Sequence, residues 1–437
     1  MKARPGTPLI EIEALRVGMY VHLDLGWMSH PFALSHFKIV STDQIDTIRG
    51  LGLKEVRWNP ELSDPPAEPV STAPETGAAP KPPRDDSAAR AAEAAAGARA
   101  EAAAERAALA LCDSQFAEAA AALRDVHDRV LDAPEQARAQ AEALSAALLG
   151  KMAGERDLCI RLLGESAGDR ASAHALNVAI LSLLMGRTFA WGDKEMADLG
   201  VGALMHDVGK LELPERVRQR DEGFTAAENR FYEEHVARGV AQARRLGLSA
   251  GALLVIGQHH EMADHSGFPL RIGSERMTAA ARVVALVNRY DKLCNPPRPH
   301  LALTPHEAVS LMFAQYQNKF DASILGAFVK MMGVYPPGSV VQLTDDRLAL
   351  VVSVNSSRPL KPRVQVYDPA QPDEPGPVLN LETTNGVGIR RSLKPQALPK
   401  EALRALAPRQ RVAYFFEPAP APAAAGATSR QPLAFAA

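Results

Sequence analysis

The chain has 437 residues, too many for one ordinary hydrophobic core, so two or three domains are expected. Its 46% hydrophobic and 23% charged composition is globular and excludes a wholly disordered chain. Forty-nine basic against fifty-one acidic side chains leave a formal charge of -2, with no overall attraction for nucleic acid or anionic lipid.

Residues 6–60 alternate short apolar runs with turns and are expected to form a small α+β module. Acidic residues interrupt the apolar start of the chain, so it does not resemble a signal peptide, and no stretch reaches the length of a membrane span. Cys112, Cys159 and Cys294 lack paired spacing, which suits free thiols in the cytoplasm. Residues 61–87, rich in Pro, Ala and acid, are expected to be a disordered linker. Residues 88–150 are dominated by alanine, the strongest helix former, with a break near Asp132-Ala133-Pro134. With few large apolar residues, this segment is expected to be a thin helical hairpin, serving homodimerisation or acting as a plain spacer. From 155 to 334 the sequence is densely helical. Thr225-Ala226-Ala227-Glu228 and Thr304-Pro305-His306-Glu307 both mark helix starts with a capping box. Residues 335–417 are Val-rich runs separated by turns, a small β-rich module, and 418–437 form a disordered tail. The expected fold class is mainly α, a helical core with small modules at both ends.

Most of the twelve histidines fall in the helical region. His174, His206, His235 and His260 each sit at helical spacing from apolar residues, so they point inward. Any one inward histidine is as often a satisfied core residue as a ligand. The adjacent pairs His206-Asp207 and His259-His260 change that balance, because burying so many imidazoles with a carboxylate and no cation is costly. Nitrogen and oxygen donors without cysteine argue against a structural zinc knot and suit Fe or Mn. Five histidines and one aspartate exceed what one ion normally takes, so two divalent ions bridged by Asp207 are expected.

His206-Asp207-Val208-Gly209-Lys210 resembles the HD-x-G-K core of the HD superfamily. His259-His260-Glu261, followed by Asp264 and Ser266-Gly267-Phe268-Pro269, resembles the stretch that gives the HD-GYP family its name, as do Phe224-Thr225, Glu228 and His235 to Gly239. Residues 8–60 are similar to a small domain of unknown function that often precedes HD-GYP domains in bacteria. The resemblance implies an all-helical HD-type phosphohydrolase core that hydrolyses cyclic di-GMP to pGpG or GMP. It implies His174, His206, Asp207, His235, His259 and His260 as metal ligands, Asp207 and Lys210 as catalytic residues, Lys210 on the scissile phosphate, and Gly267, Phe268 and Pro269 shaping the nucleotide site.

Departures from the family pattern matter as much. Asn288 stands where the family carries a metal-binding aspartate, and a neutral carbonyl binds cations more weakly. Asp291, three residues on, is a candidate substitute or a structural residue. His265 replaces a glycine and Phe268 the family's tyrosine. Arg170 stands where some members have a glutamate, which argues against a third ion. The alternative is therefore a degenerate domain, acting as a cyclic di-GMP receptor or protein-interaction module. An HD phosphohydrolase for another nucleotide fits the Gly-Phe-Pro loop less well. Nucleic-acid binding is not expected, because Arg216, Arg218 and Arg220 look like a solvated face without interleaved aromatics.

Overall fold

The computed structural model describes residues 8–25, 36–65, 87–153, 157–164, 169–221, 223–372, 374–384 and 386–419. The linker expected at 61–87 and the tail expected at 418–437 lie almost wholly outside these residues.

At the N-terminal end, β1 (Leu9–Glu11), β2 (Tyr20–His22), β3 (His36–Lys38), α1 (Thr42–Gly50) and β4 (Glu55–Asn59) make the expected α+β module. The antiparallel sheet has the order β1-β4-β2-β3. Ser41 starts α1 by accepting from the Gln44 backbone N–H, and Ile45 and Ile48 face Val21, Ile39 and Val56 in a core of their own.

Two helices follow, α2 (Ser87–Arg129) and α3 (Pro134–Ala153), broken where Pro134 forbids continuation. Neither is a spacer over its length. Phe116, Leu123, Val126, Leu144 and Leu148 are fully or almost fully buried in the main core. Ala119, Ala120, Ala137 and Ala141 are equally buried, so their small side chains let the helix backbones approach closely. The composition hid this, because an alanine contact surface carries little hydrophobic signal.

The helical region begins with a strand, β5 (Leu158–Leu162), then α4 (Arg170–Thr188), α5 (Asp193–Met205), α6 (Ala226–Leu246), α7 (Ala250–Gln258), α8 (Ala279–Cys294), α9 (Pro305–Gln315) and α10 (Ala322–Met332). Both expected capping boxes are present, at Thr225 with Glu228 and at Thr304 with Glu307. Asp169 caps α4 by accepting from the Ala171 and Ser172 backbone N–H groups.

β6 (Val340–Leu343), β7 (Leu348–Asn355), β8 (Arg363–Val366), β9 (Val378–Asn380), β10 (Ile389–Leu393), α11 (Lys400–Leu406) and β11 (Tyr414–Pro418) complete the chain. Their sheet crosses the boundary that the change in composition near Val334 suggests, because β5 pairs with both β7 and β11. Arg161 of β5, only 2% exposed, donates to Glu417 of β11 at 2.7 Å and to Glu105 of α2. Arg363 of β8 joins the same two carboxylates, so four charges, two of them buried and two half-buried, tie α2 to the sheet. Loss of one partner would leave the others uncompensated. The loop leading into β11 is sewn to the helices: Asn177 of α4 donates to the Val412 carbonyl and accepts from the Tyr414 N–H.

Among the described residues, no helix is long and apolar enough to cross a membrane.

Candidate metal centre

The six side chains singled out by sequence converge. His174 projects from the second turn of α4, while His206 and Asp207 follow the last residue of α5. His235 lies mid-way along α6, and His259 and His260 follow the end of α7. Around Asp207 the arrangement is two-sided. Its Oδ2 faces His174 Nε2 at 3.6 Å and His206 Nε2 at 3.4 Å. Its Oδ1 faces His235 Nε2 at 3.5 Å and His259 Nε2 at 3.6 Å. Two groups of potential ligands result, His174–His206–Asp207 and Asp207–His235–His259–His260, each with donor atoms within 4.8 Å of one another.

Backbone geometry settles the tautomers. His206, His235 and His259 each place Nδ1 against the carbonyl three residues earlier, of Ala203 at 2.8 Å, Tyr232 at 2.5 Å and Ile256 at 2.7 Å. A carbonyl only accepts, so Nδ1 carries the proton and Nε2 presents a lone pair. His174 is oriented by a carboxylate instead, donating from Nδ1 to Asp291 Oδ2 at 2.5 Å. Asp291 itself is fixed by Asn177 at 2.7 Å and Asn295 at 2.9 Å, so it braces His174 rather than replacing a ligand at 288.

The bare nitrogens then face each other, His206 against His174 at 3.2 Å and His235 against His259 at 3.4 Å. Lone pairs at that separation repel unless a cation lies between them. Metal–nitrogen bonds of about 2.1 Å would give ligand–ligand edges close to these values. Asp207 Oδ1 is buried without a hydrogen-bond partner among the described residues, which also fits a missing cation.

Charge is arranged consistently. Burial pushes His174 and His260 below the usual imidazole range, His235 down to about 2 and His259 to about 4, so these rings stay neutral ligands near pH 7. Burial alone would raise Asp207, but Lys210, His206 and Lys292 beside it hold its carboxyl well below the ordinary value. Lys210 Nζ donates to Asp207 Oδ2 at 2.6 Å, and that carboxylate outweighs burial and raises the lysine. Burial lowers Lys292, with the Tyr232 hydroxyl opposing.

The loop after α7 forms one wall. Phe268 stacks on His260 with ring centroids 4.4 Å apart. Buried Glu261 accepts from the backbone N–H groups of Leu270 at 2.6 Å and Ile272 at 3.1 Å, which holds the loop closed. Gly267 has no alternative here, since a Cβ would fall 2.5 Å from the backbone of His260, Glu261 and Met262. Gly209 is equally constrained, because a Cβ would meet the His235 carbonyl at 2.0 Å where the segment after Asp207 crosses α6. His265, in the place of a glycine, adopts φ of 61°.

A cleft of about 820 Å³ opens over the ligands. Lys210, Gly267, Phe268 and Asn288 line it, whereas Pro269 does not. Sequence reasoning missed His127 of α2, Lys292 of α8 and Arg411 from the loop before β11, all at the cleft. His127 and Arg411 reach it only through long-range packing. Lys292 had a local signal, since it is one helical turn from Asn288. Arg218 and Arg220, both exposed, also border the cleft, bonded to the Leu213 carbonyl at 2.8 Å and Asn229 at 3.0 Å. Arg170 points its guanidinium at the Asn295 and Pro297 carbonyls. Asn288 is 2% exposed, and its Oδ1 has no hydrogen-bond partner among the described residues.

Known proteins resemble this chain over the same regions. A family model described as an HD domain matches residues 157–324, and one described as a domain of unknown function (DUF3391) matches residues 9–141. The second match runs well beyond the N-terminal sheet and into α3. A cyclic di-GMP phosphodiesterase of Pseudomonas aeruginosa is 29% identical over 208 residues, 47% of this chain and 49% of the relative. A 3'3'-cGAMP-specific phosphodiesterase of Vibrio cholerae is 25% identical over 166 residues, 38% of this chain and 36% of the relative. The matched region thus spans half or less of these relatives. An HDG"Y"P protein from Bdellovibrio bacteriovorus is a solved structure with 14% identity and a TM-score of 0.40, covering 74% of this chain and 97% of that one. The chain carries an HD domain, preceded by the domain of unknown function.

Proposed function

We propose that this HD-domain chain is a metal-dependent phosphodiesterase that hydrolyses cyclic di-GMP to pGpG or GMP. The observation that carries the proposal is the convergence of bare imidazole nitrogens on both oxygens of Asp207. His174, His206, Asp207, His235, His259 and His260 supply the donors, in two ligand groups that share the aspartate. When bound, divalent metal such as Fe or Mn supplies Lewis acidity toward phosphoryl oxygens and a nucleophile near neutral pH.

The protein's own groups do the rest. Hydrolysis adds water across one P–O3′ bond, opening the ring and leaving a 5′-phosphate. Lys210, held as an ammonium by Asp207, stands beside the ligands and balances the charge that grows on the phosphoryl oxygens. Arg170, Arg218, Arg289 and Arg411 line the cleft walls and suit a substrate with two phosphates. Phe268, flat against His260, and Gly267 shape the base-proximal wall. The cleft volume falls within the range for small-ligand sites. Three buried free thiols are in keeping with a reducing compartment such as the cytoplasm.

Asn288 favours a second reading, a receptor that binds the nucleotide without turning it over, because the family aspartate is replaced by a neutral oxygen. The test uses the purified full chain loaded with Mn²⁺, with cyclic di-GMP and 3'3'-cGAMP supplied separately and products resolved by chromatography. The expected result is pGpG or GMP from cyclic di-GMP. Binding without cleavage, with activity gained by Asn288→Asp, supports the receptor; cleavage of 3'3'-cGAMP alone changes the substrate; absence of bound metal removes the site.

A further inference from the structure

Six arginines line the cleft, and five of them are committed to the protein itself. Arg170 donates to the Asn295 and Pro297 carbonyls, Arg218 to those of Leu211 and Leu213, and Arg220 to the Asn229 side chain. Arg289 donates to the Tyr316 hydroxyl and Arg298 to the Asp221 carboxylate. Arg411 is the exception, with no hydrogen bond or ion pair among the described residues.

An exposed arginine without a partner is ordinary on a solvated surface. The backbone that carries this one, however, is fixed against the metal centre. Val412, the next residue, donates its N–H to Asn295 Oδ1 at 2.9 Å. Its carbonyl accepts from Asn177 at 3.0 Å and from Asn295 at 2.9 Å. The same Asn295 donates to Asp291, which holds His174, and its backbone carbonyl accepts from Arg170. One asparagine therefore sets the Arg411 loop, Arg170 and His174 relative to one another. Arg170 and His174 are four residues apart on α4, so they share a face about 6 Å apart along the helix axis.

The charges support the same placement. Burial first, and then the Arg411 charge, push Arg170 below the usual guanidinium range, with Asp291 opposing. That carboxylate is itself engaged by His174, Asn177 and Asn295. Two like charges held together at the edge of the cleft favour an anion that both can reach. Arg411 also lies outside residues 157–324, which the HD model matches, on the approach to β11 of the terminal sheet.

We propose that Arg411, with Arg170, holds the phosphate of the cyclic dinucleotide that is not being cleaved, so that the terminal sheet forms part of the substrate site. This rests on the substrate reading above. A ring with two phosphates presents one to the metal centre and the other to the arginine pair, whereas a mononucleotide reaches only the first. Arg411 thus selects by phosphate count and is indifferent to the bases.

The test compares a ligand with two phosphates and one with a single phosphate. The Mn²⁺-loaded full chain is titrated calorimetrically with the bis-phosphorothioate analogue of cyclic di-GMP, which resists hydrolysis, and separately with GMP. In Arg411→Gln the affinity for the analogue is expected to fall by about 10- to 100-fold, the usual worth of a hydrogen bond to a charged group, and that for GMP by less than about twofold. Arg411→Lys, which keeps the charge but not the two-pronged donor, should lie between wild type and Arg411→Gln. The side chain is exposed, so folding is not at stake, and GMP binding reports an intact metal centre in the same sample. Equal losses for the two ligands, or no loss for the analogue, overturn the inference and leave the substrate reading standing. A wild-type chain that binds Mn²⁺ but not the analogue sinks the substrate reading and this inference with it.

Discussion

The floor of the cleft and its α8 wall follow different rules. On the floor, the ends and turns of α4 to α7 deliver histidines whose rings are fixed by carbonyls three residues back or by a buried carboxylate. On the wall, Asn288 leaves an oxygen unpaired among the described residues, Asp291 braces a floor histidine, and Lys292 lies against another. The lesson is that a ligand's identity settles less than the partner on its second nitrogen. Five histidines look alike in sequence, and four of them are prepared to bind metal through Nε2 while the fifth lies against a lysine.

The severest way to break the floor is at Asp207. Asp207→Asn keeps the shape but removes the charge shared by both ligand groups, so Mn²⁺ affinity is expected to fall by more than about 100-fold, with hydrolysis lost alongside it. Calorimetric titration of the stripped protein measures this. Retained affinity would mean that the imidazoles alone hold the ion and that Asp207 serves Lys210.

The contribution of the wall is sharpened next by Asp291→Asn. The amide retains contacts with its neighbours but no longer holds His174 as a charged acceptor, so metal affinity should drop by about 10- to 100-fold. The thermal midpoint of the stripped protein should change far less. A large loss of midpoint with unchanged affinity would make Asp291 a packing residue only.

How much of this was legible follows the same division. The His-Asp pair, the His-His pair and both capping boxes are local in sequence, and each stands where expected. The roles of α2 and β5 were not legible. Ala119 and Ala120 give no apolar stripe, yet they bury completely because small side chains let α2 approach the core. The five-residue strand at Leu158 has its partners about 190 and 260 residues away, so no local pattern announces that the terminal sheet belongs to the core. Arg411 reaches the cleft for the same reason.

Acidity separates metal-free from metal-loaded floor. Unfolded imidazole takes up a proton near pH 6.5, whereas His259 resists protonation until about 4 and His235 until about 2. Between those limits the unfolded chain binds more protons, so the stability of the stripped protein is greatest above pH 6.5 and declines as pH falls toward 4. Thermal midpoints at pH 7.5, 6, 5 and 4.5 should decrease in that order, and His259→Leu should flatten the slope. An unchanged slope in that variant would place the proton uptake elsewhere.

The smallest effect asks whether the floor depends on helix stability in general. Thr225 caps α6, its hydroxyl accepting from the Glu228 N–H at 3.2 Å, ten residues before His235. Thr225→Ala should cost about 1 kcal/mol in denaturant unfolding, the usual value of a lost cap. Metal affinity should stay within about twofold, because His235 is oriented by the Tyr232 carbonyl in the middle of the helix, well inside any fraying. A drop in affinity comparable to that of Asp291→Asn would show that the ring positions are set by the ends of the helices, and the contrast between floor and wall would then be one of helix anchoring rather than of partners on the second nitrogen.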